Sequence, residues 1–308
     1  MTNVSRFLTE SAKSPDARAL VCDDRTVSYS ALANDVARFA DYLTFGGLQP
    51  GDRVGVMLPN CPEFVVAFYG VLHAGGVVVP LNHGLHPRDL EFYLTITGAR
   101  ILFLTPRHAI ANTVAALTAG TQPVEIGSHG IAQLTAGFSG RAEPVNRATR
   151  DAAVVLPIAE TQGAHTVELS HAELADSQAV TAGLVLAAGQ NDVVMGCLPM
   201  TERSGMTCGL LATMSSGATL VLPNVDPALD PASTLETIAA QRVTVFEGDP
   251  AMYVALLDAA HHYDGDLSSV RICLSAGGSL SAEILRQFQD RSGCIVVDAD
   301  ELVRRTCA

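Results

Sequence analysis

Short apolar runs alternate with segments of helical spacing along this chain, and that alternation restricts its fold more than any other feature. Strands are predicted at 53–57, 77–80, 101–104, 152–156, 192–197, 218–222, 243–246, 270–275 and 294–297. Helices are predicted from Pro62 and Pro87 and near 171–188, 205–215, 232–241, 250–259 and 280–291. Alternation of this kind is typical of parallel sheets covered by helices, so the predicted fold class is α/β.

A break in this rhythm divides the chain near its middle. Residues 127–150 are polar, contain Gly, Ser, Arg and Pro, and show no clear period, which is typical of a linker. The 308 residues are enough for one large domain or two ordinary domains with a full core. We therefore predict a first α/β subdomain with its linker at 1–150 and a second at 151–308.

Charge and hydropathy narrow the classes of partner. The chain has 19 Lys and Arg against 32 Asp and Glu, a formal net charge of −13, which argues against nucleic acid. No apolar run reaches the length of a membrane span, and the N-terminus lacks a secretory core, so we expect a cytoplasmic protein. The seven cysteines show no paired or metal-type spacing, which favours free, mostly buried thiols.

A strand, a loop and a helix start follow one another between residues 152 and 173. The run Ala152–Leu156 predicts the strand, and Ser170 with Glu173 predicts a capping box at the helix start. Phosphate-binding loops are built on such a frame, because backbone N–H groups and a lysine converge there on the anion.

The residues of this frame are unsuited to phosphate. The segment between strand and helix has one glycine, Gly163, and no lysine, and it carries Glu160 and Glu168. The only lysine of the chain is Lys13. We therefore interpret residues 157–167 as a surface loop from which phosphate chemistry has been lost.

Several segments together resemble the adenylate-forming (ANL) superfamily of acyl-CoA synthetases, nonribosomal adenylation domains and luciferases, and most closely its fatty-acyl and aromatic acyl-CoA ligases. They are VSYSAL at 27–32, LQPGDRV at 48–54, LPNCPEF at 58–64, HAGG to PLN at 73–82, GATLVL at 217–222, RVTVF at 242–246 and LSSVR at 267–271. The resemblance implies an AMP-binding domain of two stacked α/β subdomains, with the family's small C-terminal domain absent. It also implies chemistry in which ATP and magnesium activate a carboxylate that then passes to coenzyme A.

Two departures from the family pattern fall on the phosphate and acyl sides. His165 stands where the resemblance places the lysine of the phosphate loop. After Leu198-Pro199-Met200, where the family has an aromatic–histidine pair, this chain has Thr201-Glu202-Arg203-Ser204.

The adenine side departs as well. Asp300 stands where the resemblance places an aromatic residue that stacks on adenine, and Val303 and Arg304 stand where it places a threonine and a magnesium-binding glutamate. Another motif survives in part and is interpreted as a remnant nucleotide or acyl pocket, or as glycines that only turn a strand into a helix. It consists of Ser275, Ala276, Gly277, Gly278 and Ser279.

His165, Glu168 and His171 form an H-x-x-E-x-x-H pattern that raises the question of zinc. Two histidines six residues apart do not share one helix face as an i, i+4 pair does. We interpret them as loop histidines and predict no metal site.

These observations predict a catalytically inactive acyl-CoA synthetase-like protein with no cofactor, because the apolar pattern of the scaffold persists while its chemical residues are replaced. It would bind a protein partner, such as an intact acyl-CoA synthetase paralogue or a second copy of itself, or an acyl or carboxylate ligand. One alternative is an ATP-dependent carboxylate–CoA ligase, weak or completed by a separate chain, that uses ATP, magnesium and CoA. Another is a homodimeric binding module.

Overall fold

The structure is a computed structural model that describes residues 3–11, 14–106, 109–127, 129–160, 163–186, 192–223, 229–263 and 265–306. The chain folds into two compact units, and neither unit is one continuous stretch. The first comprises Met1–Thr9 and Ser30–Ala175, and the second comprises Glu10–Tyr29 and Asp176–Ala308. No helix of the described residues is long and apolar enough to cross a membrane.

The strands are short, as expected for an α/β protein. They are β1 (Arg18–Cys22), β2 (Arg25–Ser28), β3 (Arg53–Met57), β4 (Val77–Pro80), β5 (Ile101–Leu104), β6 (Gln122–Glu125), β7 (Ala152–Glu160), β8 (Gly163–Ser170), β9 (Val193–Gly196), β10 (Thr219–Leu222), β11 (Val245–Gly248), β12 (Ile272–Ser275) and β13 (Ile295–Asp298).

Helices separate most of the strands. They are α1 (Phe7–Glu10), α2 (Tyr29–Phe45), α3 (Pro62–His73), α4 (Pro87–Thr97), α5 (Ala109–Thr118), α6 (Gly130–Thr135), α7 (His171–Val185), α8 (Ala212–Ser215), α9 (Pro231–Gln241), α10 (Pro250–His262), α11 (Ala282–Ser292) and α12 (Ala299–Thr306). A 3₁₀ turn at Val4–Arg6 precedes α1, and a π-helical segment at Gly205–Leu211 precedes α8.

The sheet of the first unit has the order β6-β5-β3-β4-β7-β8 among the described strands. The strands from β6 to β7 pair in parallel, and β7 pairs with β8 antiparallel. A core of this unit packs between its sheet and helices such as α4, with Leu90, Leu94 and Leu102 fully buried. This arrangement confirms the predicted α/β class.

The sheet of the second unit has the order β13-β12-β11-β9-β10-β1-β2 among the described strands. Each pair from β13 to β1 is parallel, and β1 pairs with β2 antiparallel. On one face, Met195, Phe246 and Cys273 of neighbouring strands pack on Tyr253 of α10 and Phe288 of α11. Because these strands run in parallel, β9, β11, β12 and β13 end at the same edge of the sheet.

The segment predicted as a surface loop at 157–167 is an antiparallel hairpin instead. Strand β7 continues past Leu156 to Glu160, with Leu156 opposite Val167 and Ile158 opposite His165. The loop prediction was wrong because residues 166–169 form a strand that pairs with β7. These residues include strand formers, but they do not make up a long apolar run, so the sequence pattern did not predict the strand. Residues 161 and 162 at the tip lie outside the described residues.

The bounds of the two units also differ from the division expected at residue 150. Strands β7 and β8 pair with the first sheet, through Val78 of β4 opposite Val154, so the first unit extends to Ala175. Strands β1 and β2 join the second sheet through β10, which places residues 10–29 in the second unit. The segment expected to be a linker, residues 127–150, contains α6. In the same segment, the N–H of Val145 donates a hydrogen bond to the carbonyl oxygen of His73 at 2.8 Å.

Candidate functional site

The β7–β8 hairpin of the first unit carries the residues that the resemblance places at the phosphate loop. His165 is exposed on β8. Glu168 accepts a hydrogen bond from Arg53 at 2.5 Å, within an ion pair on the first sheet. The side chain of Glu160 and all of Lys13 lie outside the described residues. The described part of the hairpin therefore presents an imidazole and a paired carboxylate rather than a lysine.

The capping box at the start of α7 is confirmed. The N–H of Ser170 donates to Oε2 of Glu173 at 2.8 Å, and the N–H of Glu173 donates to Oγ of Ser170 at 3.2 Å. The two residues thus satisfy orphan donors of the helix start reciprocally. A donor that a phosphate could have used at this helix start already has a partner.

His171 is fully buried, unlike His165. Its Nδ1 accepts a hydrogen bond from the N–H of Val4 at 3.3 Å, and its Nε2 has no partner among the described residues. Burial, followed by the charge of Arg147, lowers the pKa of His171 to about 4. The interpretation of His171 as a loop histidine was wrong. His171 is the first residue of α7 and is buried against the segment that contains Val4. The H-x-x-E-x-x-H pattern does not converge, since its members are exposed, ion-paired and buried respectively.

Asp300 links two loops at the strand-end edge of the second sheet. Its Oδ1 accepts a hydrogen bond from Oγ of Ser204 at 2.5 Å, and its Oδ2 accepts one from the N–H of Gly277 at 2.9 Å. Ser204 lies in the connection after β9, Gly277 lies directly after β12, and Asp300 lies in the first turn of α12. The structure therefore brings together three residues from three motifs of the sequence.

Glu202 adds a further carboxylate to this edge. Glu202 as a whole residue is exposed, but its carboxyl group is partly buried. This burial is the largest cause that raises the pKa of Glu202 above its usual range, and the negative charges of Asp300 and Asp249 raise it further. Asp249 caps α10, where it accepts a hydrogen bond from the N–H of Met252 at 2.9 Å. The electrostatic coupling of Glu202 to two aspartates makes this edge of the second unit acidic.

The glycine-rich remnant after β12 is shaped by its backbone. Gly277 and Gly278 have φ values of 77° and 151°, which residues with a Cβ rarely adopt. Ser275 and Ala276 are buried, and Gly277, Gly278 and Ser279 are exposed. Because Asp300 accepts the hydrogen bond of the Gly277 N–H, that donor is not available to a ligand in this arrangement.

The last two predicted site positions, Val303 and Arg304, are not part of a cluster of metal-ligating side chains among the described residues. Val303 is buried on α12, whereas Arg304 is exposed and pairs with Glu301 at 3.3 Å. The described residues contain no group of three or more His, Cys, Asp or Glu that could hold a metal ion.

Sequence reasoning missed Glu247, which lies on β11 and is fully buried. Neither oxygen of its carboxyl has a hydrogen-bond partner among the described residues, and burial raises its pKa well above the usual range. A Cβ at Gly209 would lie 2.5 Å from Oε2 of Glu247, so the carboxyl packs on the backbone of the π-helical segment. The available signal was one acidic residue at the end of the apolar run VTVFE.

Comparison with known proteins places the chain in a family. The family model "AMP-binding enzyme" matches residues 7–299. The chain therefore belongs to the AMP-binding enzyme family, as its fold and the resemblance of its motifs predict.

Curated relatives of the chain include acid–CoA ligases. The long-chain-fatty-acid–CoA ligase of Bacillus subtilis (strain 168) is 28% identical over 95% of this chain and 58% of its own length. The feruloyl-CoA synthase of an Amycolatopsis species is 31% identical over 90% of this chain and 55% of its own length. The chain thus spans a little over half the length of these relatives.

Solved structures of this family have the same fold. A benzoate CoA ligase from Burkholderia xenovorans LB400 matches with a TM-score of 0.87 and 25% identity, over 98% of this chain and 62% of that one. The N-terminal domain of FACL13 from Mycobacterium tuberculosis matches with a TM-score of 0.86 and 22% identity, over 97% and 75% of the two chains.

Proposed function

We propose that this chain is a catalytically inactive acyl-CoA synthetase-like protein that acts by binding a protein partner or an acyl-type ligand. The observation that carries the proposal is the pair of hydrogen bonds from Ser204 and Gly277 to Asp300. They hold a carboxylate at the position where the resemblance places an adenine-stacking aromatic residue. The same bonds engage the Gly277 N–H of the remnant motif.

The residues at this edge do not fit a nucleotide triphosphate with magnesium. Two like charges about 4 Å apart repel by roughly 4 kcal/mol at an effective dielectric constant of about 20, so phosphates beside Asp300 and Glu202 would be disfavoured. Arg304 stands where the resemblance places the magnesium-binding glutamate, and it is a cation paired with Glu301. Charged groups held in place around the reacting atoms usually make the largest contribution to catalysis. At this edge the carboxylates of Asp300 and Glu202 would repel a phosphate rather than stabilise it.

The first unit supports the same proposal. In the hairpin that corresponds to the phosphate loop, His165 takes the position of the lysine, and Glu168 is paired with Arg53. Charge-assisted hydrogen bonds contribute about 1.5–3 kcal/mol each, so a phosphate would gain little without such donors.

ATP–pyrophosphate exchange with a panel of fatty and aromatic carboxylic acids tests this proposal. We expect exchange at the level of a no-acid blank, while an acyl-CoA ligase with an intact motif set gives robust exchange in parallel. A triple variant, His165→Lys with Asp300→Tyr and Arg304→Glu, checks whether the replaced residues account for the loss. Robust turnover by the unmodified chain would refute the proposal.

The alternative is an ATP-dependent carboxylate–CoA ligase that is weak or completed by another chain. Two observations favour it: the family model matches nearly the whole chain, and curated relatives of a little under twice the matched length are acid–CoA ligases. It predicts acyl-CoA formation when this chain is mixed with a separate C-terminal domain of a relative, and none with either part alone. Exchange that stays at the blank level in the mixture favours the inactive protein.

A further inference from the structure

Two cysteine thiols meet inside the second unit. The sulfur atoms of Cys273 and Cys294 lie 3.4 Å apart, and neither cysteine is in a disulfide. Cys273 lies on β12, and Cys294 lies between Gly293, the αL residue that ends α11, and the first residue of β13. A disulfide has an S–S length of about 2.05 Å, so the two sulfurs need to approach by little more than 1 Å.

The two thiols differ in acidity. Burial raises the pKa of Cys273 well above its usual range, while the hydrogen bond with Cys273 lowers the pKa of Cys294 to about 7 against the effect of its own burial. A hydrogen bond with the Ser292 side chain also lowers the pKa of Cys294. The Ser292 Oγ separately accepts a hydrogen bond from the Cys294 N–H at 3.3 Å. Near neutral pH, a part of Cys294 is thiolate beside a protonated Cys273, and the thiolate is the reactive form.

Cys294 is also the thiol nearer to solvent. A surface depression of about 620 Å³ lies between the 265–268 turn and the end of α11, where Arg291, Ser292 and Gly293 form one wall. Cys294 follows this wall directly and retains 4% exposure, whereas Cys273 is fully buried. The lining of the depression ends at Gly293, one residue before the more acidic thiol.

We propose that Cys273 and Cys294 form a peroxide-sensitive dithiol that closes to an intramolecular disulfide between β12 and the start of β13. The Cys294 thiolate attacks one oxygen of hydrogen peroxide, the O–O bond breaks, and the hydroxide that leaves takes a proton from solvent to become water. Cys294 is then a sulfenic acid, which the Cys273 sulfur attacks. The Cys273 proton and the departing hydroxide form the second water, so two thiols are oxidised as one peroxide is reduced.

Closure would reach the candidate site through the strand that follows. Among the described strands β13 pairs only with β12, and Asp298 at its end accepts a hydrogen bond from the N–H of Glu301 in α12. The same helix carries Asp300, which holds Ser204 and Gly277. A covalent link at the start of β13 therefore restrains the strand that leads directly into Asp300. This inference does not depend on whether the protein is an enzyme.

The test is limited oxidation of the full, reduced chain with hydrogen peroxide, followed by alkylation of the remaining thiols, intact mass spectrometry and peptide mapping. We expect the loss of two hydrogens and a linked peptide pair that contains Cys273 and Cys294, both reversed by dithiothreitol. Linkage should also raise the melting temperature of the oxidised protein above that of the reduced protein.

Variants separate the two thiols. Cys273→Ser should lose the linked pair completely and should leave Cys294 as a sulfenic acid that dimedone traps, whereas Cys294→Ser should lose both the pair and the adduct. Cys61→Ser is the control and should retain the linked pair. If a serine variant fails to fold, the mapping of the unmodified chain decides. Oxidation confined to other cysteines, a link to a different cysteine, or no reaction overturns the proposal.

Discussion

Glu247 places a carboxyl group inside the second unit with no hydrogen-bond partner among the described residues. An isolated buried charge is far more costly than a buried neutral group, so the fold holds this carboxyl in its protonated form, as its raised pKa indicates. The folded state therefore binds more protons than the unfolded state at every pH between the ordinary pKa of glutamate and the raised one. The free energy of unfolding consequently falls as pH rises through that range.

Replacing Glu247 by glutamine should stabilise the protein at neutral pH, because the amide has nearly the same shape and never needs to be neutralised. We expect a gain of more than about 1 kcal/mol at pH 8, because each pKa unit by which the fold favours the protonated carboxyl corresponds to about 1.4 kcal/mol. The gain should shrink towards about pH 4.3, where glutamate is protonated in the unfolded state as well. Urea unfolding across pH measures this, with the exposed Glu125→Gln as control. Equal gains at both pH values would contradict the assignment.

His171 has the opposite dependence on pH. Its pKa is lowered to about 4 in the fold, so between that value and about 6.5 the unfolded state binds more protons and stability is lost as pH falls. The full shift corresponds to roughly 3 kcal/mol. His171→Gln should flatten the loss of stability between pH 6.5 and 4, and the exposed His165→Gln should leave it unchanged. Thermal melts of the three proteins over this range decide, and parallel curves would show that His171 does not titrate as described.

At the scale of elements, the strand-end edge of the second sheet is held by α12 rather than by any one loop. Asp300 in α12 receives hydrogen bonds from the connection after β9 and from the turn after β12. Hydrogen bonds to charged groups contribute about 1.5–3 kcal/mol each when buried, and this carboxyl is only partly buried, so the smaller value applies. The loops and the helix are expected to order together.

Asp300→Ala should therefore lower the free energy of unfolding by about 1–2 kcal/mol, since it leaves Ser204 and the Gly277 N–H without their acceptor. Asp290→Ala, at an exposed position on α11, is the matched control and should stay within about 0.5 kcal/mol of the unmodified chain. A second readout is the pKa of Glu202, which should fall when the charge of Asp300 is removed. An unchanged Glu202 pKa would mean that the two carboxylates are not coupled.

At the scale of the whole molecule, sequence pattern predicted most of the buried strands and the edge strand β13, but it missed the edge strands β2, β6 and β8 and the buried β1 beside β2. Strands such as β3, Arg53–Met57, and β4, Val77–Pro80, are almost fully buried and appear as largely apolar runs. Strand β2, Arg25–Ser28, is short and has no buried residue, and the same holds for β6, Gln122–Glu125, so neither has a strong apolar signal. Edge strands are defined by the partner they pair with, which a local pattern does not contain.

The candidate site was predictable only in its parts. The motifs that contain Ser204, Gly277 and Asp300 were each visible in the sequence, but the bonds between them join residues 96 and 23 positions apart. Parallel strands bring such distant residues to one edge, and no short period records it. The contact between Cys273 and Cys294 arises in the same way, because adjacent parallel strands pair Ile272 with Ile295.

The formal net charge of −13 bears on ligand binding by the whole chain, because an excess of one sign repels anions of that sign. A ligand at about 100 times its dissociation constant stabilises a folded protein by roughly 2.7 kcal/mol. A thermal-shift measurement with about 1 mM ATP would therefore detect a site with a dissociation constant near 10 µM. We expect ATP or AMP, with or without magnesium, to raise the melting temperature no more than sodium chloride at equal ionic strength does. The salt control is essential, because screening of self-repulsion itself stabilises an acidic protein. A rise specific to ATP that Asp300→Ala further increases would show that a nucleotide site persists at this edge and that its acidic residues only weaken it.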